Sequence, residues 1–224
     1  MSVPILTIDG PSGAGKGTVA TRIASIKGWH FLDSGALYRI TAHAALRDGI
    51  ALDNEAAVSA LAATLPVSFD VDPGTGEVRV VLAGEDIGDA IRSEEAGNAA
   101  SKVAAIPGVR AALLQRQRDF HRAPGLVADG RDMGTVVFPD ADTKVFLTAS
   151  AEERAKRRYK QLSDKGISAN LRALADEIAE RDARDSQRAV SPLKPADDAL
   201  TIDSSDLEID EVVRKVLSLM SATL

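Results

Sequence analysis

Short apolar runs alternate along the chain with longer stretches in which apolar residues recur at helical spacing. The runs predict buried strands at residues 3–8, 29–32, 126–128, 144–148 and 200–202. The periodic stretches begin or end at capping residues and predict helices at residues 16–27, 35–48, 54–64, 94–104, 107–122 and 209–220. Strands that alternate with helices in this way indicate an α/β protein with a mostly parallel sheet.

The middle of the chain has a different pattern. Residues 67–71 and 77–82 are strand-like, and the sequence Asp72-Pro73-Gly74-Thr75-Gly76 between them is typical of a turn. Because an antiparallel hairpin does not belong to a parallel sheet, we interpret it as part of an inserted subdomain. We predict an insertion at about residues 66–104 and a core made of residues 1–65 and 105–224.

The first predicted strand leads into the phosphate loop, Gly10-Pro11-Ser12-Gly13-Ala14-Gly15-Lys16-Gly17-Thr18, and a predicted helix follows. Glycines let backbone N–H groups approach a phosphate, and the helix N-terminus adds a positive dipole. The loop fits the pattern G-x-x-x-x-G-K-[ST], except that the hydroxyl comes one position late, at Thr18. We therefore predict that the loop binds a nucleoside triphosphate with Mg²⁺ and that Lys16 contacts the terminal phosphates.

Polar residues follow several of the predicted strands. Ligands of open parallel sheets bind beyond the carboxyl ends of the strands. Asp33 and Ser34 follow the second strand, Asp129 the third and Asp203 the fifth, so we expect them at the same edge as the phosphate loop. Asp129 is suited to hold Mg²⁺ through its water shell, with Thr18 as a second metal ligand. A turn or capping role for Asp129 fits the sequence equally well.

Two groups of arginines lie at helical spacing. Arg154, Arg157 and Arg158 share one face of a predicted helix. We predict a mobile lid at about residues 153–168 that brings these charges to the phosphates and excludes water, although a solvated charged face has the same pattern.

The second group consists of Arg181, Arg184, Asp185 and Arg188. Its members are spaced four apart in pairs, which ion pairing on a helix surface also explains.

Composition excludes several kinds of protein. A net charge of −6 argues against binding to a nucleic acid polymer, since such proteins usually carry a basic surface. Cysteine is absent, and His30, His43 and His121 lack metal-ligand spacing, so we expect neither disulfides nor a zinc site. Apolar stretches that could form a signal peptide or a membrane span are also absent, which predicts a cytoplasmic protein with no membrane partner.

The lack of a heptad repeat or an extended apolar stripe favours a monomer.

Two further stretches are more specific than the phosphate loop: LDSGALYR at residues 32–39 and ADGRDMGTVVFP at residues 128–139. Together with IDGPSGAGKGT at 8–18, GNAAS at 97–101 and ERDARD at 180–185, they resemble the bacterial cytidylate kinases, a family of P-loop nucleoside monophosphate kinases. The resemblance extends over essentially the whole chain. Kinases of this family carry Gly-Lys-Gly-Thr in the loop, which accounts for the position of Thr18.

The resemblance implies a P-loop NTPase-type three-layer α/β fold with a parallel five-stranded sheet, an inserted antiparallel NMP-binding subdomain and a helical lid. It implies transfer of a phosphoryl group from ATP to CMP or dCMP. The implied contacts are Ser34, Ser101, Arg110 and Asp132 for the base or nucleoside, Arg39, Arg131 and Arg188 for the acceptor phosphate, Arg181 and Asp185 for the sugar, and Arg157 and Arg158 as lid cations. Lys16, Arg131, Arg157 and Arg158 are the predicted catalytic residues.

The chemistry of cytosine supports this interpretation. Cytosine presents an acceptor at N3 and a donor at its amino group, so its pocket needs a donor such as Arg110 and an acceptor such as Asp132. The reaction would be an in-line transfer in which positioning and charge neutralisation do most of the work. Neither a protein nucleophile nor a dedicated general base is needed, because the acceptor phosphate is already ionised near neutral pH.

Two other classes of protein use a similar loop. A GTPase switch would need an Asn-Lys-x-Asp segment to read guanine, and the chain contains none. A P-loop kinase for another small molecule, such as UMP or shikimate, remains open at this point.

Overall fold

The computed structural model describes residues 3–71, 78–164 and 166–223. Its strands are β1 Ile5–Asp9, β2 His30–Asp33, β3 Val67–Val71, β4 Val78–Leu82, β5 Glu85–Asp86, β6 Leu126–Gly130, β7 Thr143–Thr148 and β8 Leu200–Asp203. Its α-helices are α1 Lys16–Lys27, α2 Ser34–Arg47, α3 Glu55–Thr64, α4 Glu94–Val103, α5 Pro107–Arg118, α6 Ala151–Asp164, α7 Leu171–Ser186 and α8 Ile209–Thr223. The chain forms two compact units, which we call the first unit (Met1–Ser34 with Gln117–Leu224) and the second unit (Gly35–Arg116).

The first unit is built on a five-stranded sheet in the order β2-β6-β1-β7-β8. Every pairing in this sheet is parallel, which confirms the predicted fold class. Asp9 pairs with Gly130 of β6 and with Phe146 of β7, and Asp33 of β2 pairs with Asp129. The carboxyl ends of four of the strands therefore meet at one edge, where the phosphate loop begins.

The core of the first unit lies between the sheet and two helices. Ile8 of β1, Ile23 of α1 and Val216 of α8 are fully buried in one apolar cluster. Burial of side chains of this size contributes about 2 kcal/mol each, so the packing fixes α1, and with it the phosphate loop, against the sheet. Within the described ranges, the helices are too short or too polar to cross a membrane.

The second unit contains α3, α4, nearly all of α2 and α5, and an antiparallel sheet in the order β3-β4-β5. The register pairs Val67 with Leu82, which confirms the predicted hairpin strands, whereas the predicted turn at 72–76 lies outside the described residues. The unit runs from Gly35 to Arg116, and the narrower functional insertion at 66–104 stays a prediction. Asn54 and Ser93 cap α3 and α4 by accepting backbone N–H bonds, as expected from their types.

The end of α5 and the segment after β6 differ from the sequence prediction. Helix α5 ends at Arg118 rather than at residue 122, since the N–H groups of Phe120 and His121 donate only three residues back, in a tight turn. A π-helical turn at Met133–Val137 follows β6 and was not predicted. The backbone N–H of Phe138 donates to the carbonyl of Met133 at 2.7 Å and closes this turn.

Candidate active site

Three glycines give the phosphate loop its shape. Gly10, Gly13 and Gly15 have φ values of +150°, +78° and +91°, a region that side chains other than glycine rarely adopt. A Cβ atom on Gly10 would also lie 1.9 Å from the carbonyl oxygen of Leu147 in β7. The loop therefore leaves β1 in close contact with the neighbouring strand, and only glycine fits there.

Lys16 begins α1 beneath the loop and is almost fully buried. Its Nζ donates to the carbonyl of Pro11 at 2.8 Å and lies 3.9 Å from Oδ1 of Asp129. Burial lowers the pKa of Lys16 to about 8, although the nearby Asp129 carboxylate raises it. Lys16 still carries a proton at neutral pH, so the loop holds a fixed positive charge where phosphates would bind.

Asp129 and Thr18 are the residues predicted to hold Mg²⁺, and this role stays a prediction. Asp129 is half-buried at the carboxyl end of β6, and its Oδ2 would lie 3.4 Å from a Cβ atom built on Gly17. Thr18 follows on the exposed side of α1. Both side chains carry oxygen atoms, and no group of three or more metal-binding side chains occurs among residues 3–71, 78–164 and 166–223. One carboxylate with a hydroxyl suits Mg²⁺, which usually keeps waters and phosphate oxygens as its other ligands.

Asp9 is a buried residue of the site to which the sequence analysis assigned no role. Its Oδ1 accepts from the backbone N–H of Met133 and its Oδ2 from that of Gly134, both at 2.8 Å. These two N–H groups begin the π-helical turn that follows Asp132. Burial raises the pKa of Asp9 to about 7, despite the two donors. Asp9 thus joins the strand before the phosphate loop to the segment that carries Arg131 and Asp132.

Asp185 joins two of the predicted phosphate ligands. The carboxylate of Asp185 is fully buried, with Oδ2 paired to Arg131 and Oδ1 paired to Arg188. Burial by itself would raise the pKa of Asp185, but the guanidinium groups of Arg131 and Arg188 outweigh it and hold the pKa below its usual range. The ion pair on a helix surface that the spacing suggested is instead a buried cluster, and it fixes Arg131 and Arg188 side by side.

The arginines of α6 lie in different surroundings. Arg154 is buried and contacts the back of the phosphate loop through the carbonyl of Ser12. Arg157 donates to the carbonyl of Ser204 at 2.5 Å, whereas Arg158 donates to Gln161 on its own helix. The roles of Arg157 and Arg158 as lid cations stay predictions.

Ser204 links Arg157 to the phosphate loop. The hydroxyl of Ser204 lies 3.3 Å from the carbonyl of Ala14 and 3.0 Å from that of Thr148. Serine after a strand is common in loops, so nothing in the sequence distinguishes this residue.

The remaining predicted residues divide between the two units. In the first unit, Ser34 is buried at the start of α2, and its Oγ would lie 2.7 Å from a Cβ atom on Gly130. Asp132 is also buried, and Arg181 lies on α7. In the second unit, Ser101 is buried on α4 and Arg39 is half-buried on α2.

Arg110 connects three helices of the second unit. It lies on α5, is buried, and donates to the carbonyl of Ala104 at the end of α4 at 3.1 Å. Its guanidinium carbon lies 5.6 Å from the centre of the Tyr38 ring on α2, a cation–π contact. The structure therefore brings the predicted base ligand Arg110 next to the helices that carry Arg39 and Ser101.

Comparison with known proteins gives consistent results. A family model described as cytidylate kinase matches residues 6–222. A cytidylate kinase of Aeromonas salmonicida is 62% identical over 215 residues, which cover 96% of this chain and 93% of that protein. A cytidylate kinase of Pseudomonas aeruginosa is 61% identical over 216 residues, with coverages of 96% and 94%. The crystal structure of an uncharacterized protein from Eubacterium ventriosum has a TM-score of 0.52 at 10% identity, covers 98% of this chain and 99% of its own, and shows likeness of fold alone.

A parallel sheet whose central strand leads through a glycine-rich loop and a buried lysine into a helix is typical of P-loop nucleotide-binding proteins. With the family model and the relatives in agreement, the chain belongs to the cytidylate kinase family, whose members are nucleoside monophosphate kinases.

Proposed function

We propose that the protein transfers the γ-phosphoryl group of ATP to CMP or dCMP and so forms ADP and CDP or dCDP. The observation that carries the proposal is the buried Lys16 beneath the phosphate loop, in a chain that belongs to the cytidylate kinase family. A fixed cation beside a glycine-rich loop at a helix N-terminus suits a triphosphate. Phosphoryl transfer then needs only a second nucleotide, held in line with the first.

The donor side consists of the phosphate loop, Lys16 and the metal ligands. Backbone N–H groups of the phosphate loop, other than at Pro11, would hold the β- and γ-phosphates, and Lys16 would neutralise charge that develops on the transferred group. Thr18 and Asp129 would hold Mg²⁺, the latter directly or through water. The ion held by these two residues would supply positive charge that offsets part of the negative charge on the phosphates.

The acceptor phosphate is assigned to Arg39, Arg131 and Arg188. Arg131 and Arg188 are supported by their shared partner Asp185, which holds both guanidinium groups in one place before any ligand binds. Such preorganisation favours transfer, because no side-chain ordering is left for the moment of reaction. Asp185 and Arg181 are assigned to the sugar.

The base is assigned to Ser34, Ser101, Arg110 and Asp132. Cytosine would receive a hydrogen bond at N3 from Arg110 and donate its amino group to an acceptor such as Asp132. Uracil has the opposite donor and acceptor at these positions. A site built on such bonds rejects the wrong base by up to ~10⁴-fold, because its buried polar groups would be left unpaired.

The proposal also includes the state of the protein in the cell. We expect a cytoplasmic monomer with an arginine-bearing lid at about residues 153–168 that closes over the phosphates. Elution at the mass of one chain in size-exclusion chromatography, with and without both nucleotides, tests the monomer.

The deciding experiment mixes the protein with ATP, Mg²⁺ and one of CMP, dCMP, UMP, AMP or shikimate, and measures release of ADP. We expect rapid turnover with CMP and dCMP, and slow turnover with the other compounds. Faster turnover with UMP, or with shikimate, would assign the loop to another kinase reaction. ADP release at one slow rate without any acceptor would indicate a GTPase-like hydrolase instead.

A matched pair of variants tests the donor side. Lys16→Ala should weaken ATP binding by at least about tenfold, the usual effect of losing a hydrogen bond to a charged group. Lys144→Ala removes another buried lysine, whose Nζ also donates to a proline carbonyl five residues earlier, that of Pro139. It should lower stability and leave ATP affinity unchanged. Calorimetric titration of ATP into both variants measures the two affinities. Equal ATP affinities for Lys16→Ala and Lys144→Ala would contradict a role of Lys16 in the donor site.

A further inference from the structure

Arg154 of α6 binds two backbone carbonyls and one carboxylate. Its Nε donates to the carbonyl of Ala149 at 2.9 Å, and its Nη1 donates to the carbonyl of Ser12 at 3.1 Å. Its Nη1 and Nη2 also donate to the two carboxylate oxygens of Asp182, at 3.1 and 2.5 Å. The end of β7, the phosphate loop and α7 are thus joined by one planar group.

The aliphatic part of Arg154 also touches the loop. A Cβ atom on Gly13 would lie 3.2 Å from Cβ of Arg154 and 3.5 Å from its Cγ. Only 4% of Arg154 is exposed, so its guanidinium group is not available to a ligand in this position. The sequence spacing places Arg154 on the same helix face as Arg157 and Arg158, but its guanidinium group has different contacts from theirs.

We propose that Arg154 is a positioning residue that transmits the placement of α7 to the phosphate loop through its fork-shaped contact with Asp182. Helix α7 carries Arg181 and Asp185, which the proposed function assigns to the acceptor nucleotide, so the coupling rests on that function. The Nη1 atom is shared between Ser12 and Asp182. Any movement of α7 that displaces Asp182 therefore moves a donor of the loop as well.

The Arg154–Asp182 contact holds its two partners in place more strongly than an ordinary surface ion pair does. Arg154 is 5% and Asp182 26% exposed as side chains, so water screens the pair only weakly. Fork contacts between guanidinium and carboxylate fix distance and orientation together, which a single hydrogen bond does not. Since phosphoryl transfer depends on placement to within about 1 Å, a loosened loop reduces turnover as well as binding.

The test compares two identical chemical changes. Asp182→Asn neutralises the partner of Arg154, and Asp198→Asn neutralises the partner of Lys144, another buried cation of the first unit. Asp182→Asn should weaken ATP affinity and lower kcat, each by about tenfold, whereas Asp198→Asn should change both by less than about twofold. Thermal unfolding of both variants reports the purely structural part of each change.

Calorimetric titration with ATP and Mg²⁺ measures the first effect without any acceptor, so it does not depend on which monophosphate is used. Steady-state turnover of CMP measures the second. If both variants lose thermal stability while ATP affinity and kcat stay at the wild-type values, Arg154 is only structural and the proposal is overturned. A failure of CMP to react in the wild-type protein would overturn the proposed function and leave the ATP result interpretable.

Arg154→Lys provides a second, independent variant. Lysine keeps the positive charge but cannot reach Ala149, Ser12 and both oxygens of Asp182 with one amino group. We expect the same tenfold losses as for Asp182→Asn, and combining the two changes should add little. Wild-type values in a folded Arg154→Lys protein would show that charge alone suffices and would contradict the positioning role.

Discussion

Replacement of Asp9 by Asn should change how the stability of the protein depends on pH. The carboxylate of Asp9 is buried and accepts the backbone N–H groups of Met133 and Gly134. Burial raises its pKa from the usual 3.8 to about 7, against the effect of those donors. The folded protein therefore keeps a proton on Asp9 at pH values where the unfolded chain has lost it.

The sign of the effect follows from the number of bound protons. Between about pH 4 and pH 7 the folded state binds more protons at Asp9 than the unfolded state, so the free energy of unfolding falls as the pH rises. Above about pH 7 both states are ionised, and the contribution of Asp9 becomes constant. With pKa values of 3.8 and about 7, linkage gives a decrease of about 2.5 kcal/mol between pH 5 and pH 7.5.

The Asp9→Asn variant has no titrating group at this position and should lack the decrease. The amide offers one acceptor oxygen in place of two, so one buried N–H loses its partner at about 1–3 kcal/mol. That loss is independent of pH. We therefore expect Asp9→Asn to be less stable than wild type at pH 5. At pH 7.5 its free energy of unfolding should approach or exceed that of wild type.

Urea unfolding of both proteins at intervals between pH 5 and pH 7.5 measures the difference directly. The upper limit lies below the pKa of Lys16, about 8, so that titration of Lys16 contributes little. Asp198→Asn is the control: hydrogen bonding from Lys144 holds the pKa of Asp198 below its usual range, so this group is ionised throughout. Parallel curves for wild type and Asp9→Asn would refute the reasoning, because they would mean that Asp9 is ionised at every pH tested.

Two further substitutions test how the site is held. Gly10→Ala should destabilise the protein by on the order of 3 kcal/mol or more, because it adds overlap with a β7 carbonyl to an unfavourable φ. Gly28→Ala is the control: Gly28 has φ +65° with nothing within 4 Å of an added Cβ atom, so the change should cost only about 1 kcal/mol. Equal losses of stability for Gly10→Ala and Gly28→Ala in thermal unfolding would contradict the close contact between Gly10 and β7. Asp185→Asn should lower stability by about 3 kcal/mol and weaken CMP binding, because the half-buried Arg131 and Arg188 lose their shared buried partner. A variant of Asp185 with normal calorimetric affinity for CMP would show that this pairing does not prepare the acceptor site.

Local sequence signals predicted the elements around the phosphate loop well. Strand β1, the loop and α1 are adjacent in the chain, so apolar periodicity and glycine positions suffice to place them. The hairpin strands were found in the same way, from alternation and turn residues. The π-helical turn at Met133–Val137 was missed, because it depends on contacts with Asp9, which lies more than a hundred residues earlier.

The order of the strands was also beyond the reach of local patterns. Strand β1 lies between β6 and β7, and β2 pairs with β6 rather than with β1. These neighbours are far apart in the sequence, and their pairing follows from the packing of whole helices on the sheet. The sequence could predict that the sheet is parallel and that its carboxyl ends share one edge, but not which strand ends are adjacent there.

The residues of the candidate site form two groups: those expected to contact a ligand and those that bind the protein backbone. Residues expected to contact a ligand were predicted from the phosphate-loop motif, as Lys16 was, or from the family resemblance, as Asp132 was. Asp9, Arg154 and Ser204 instead bind backbone groups of the loop and of its neighbours. In the sequence they look like any strand-end aspartate, charged helix residue or loop serine, since the carbonyl or N–H that each one binds carries no side-chain signal. A support residue of this kind becomes visible only when the fold shows which backbone group its side chain satisfies.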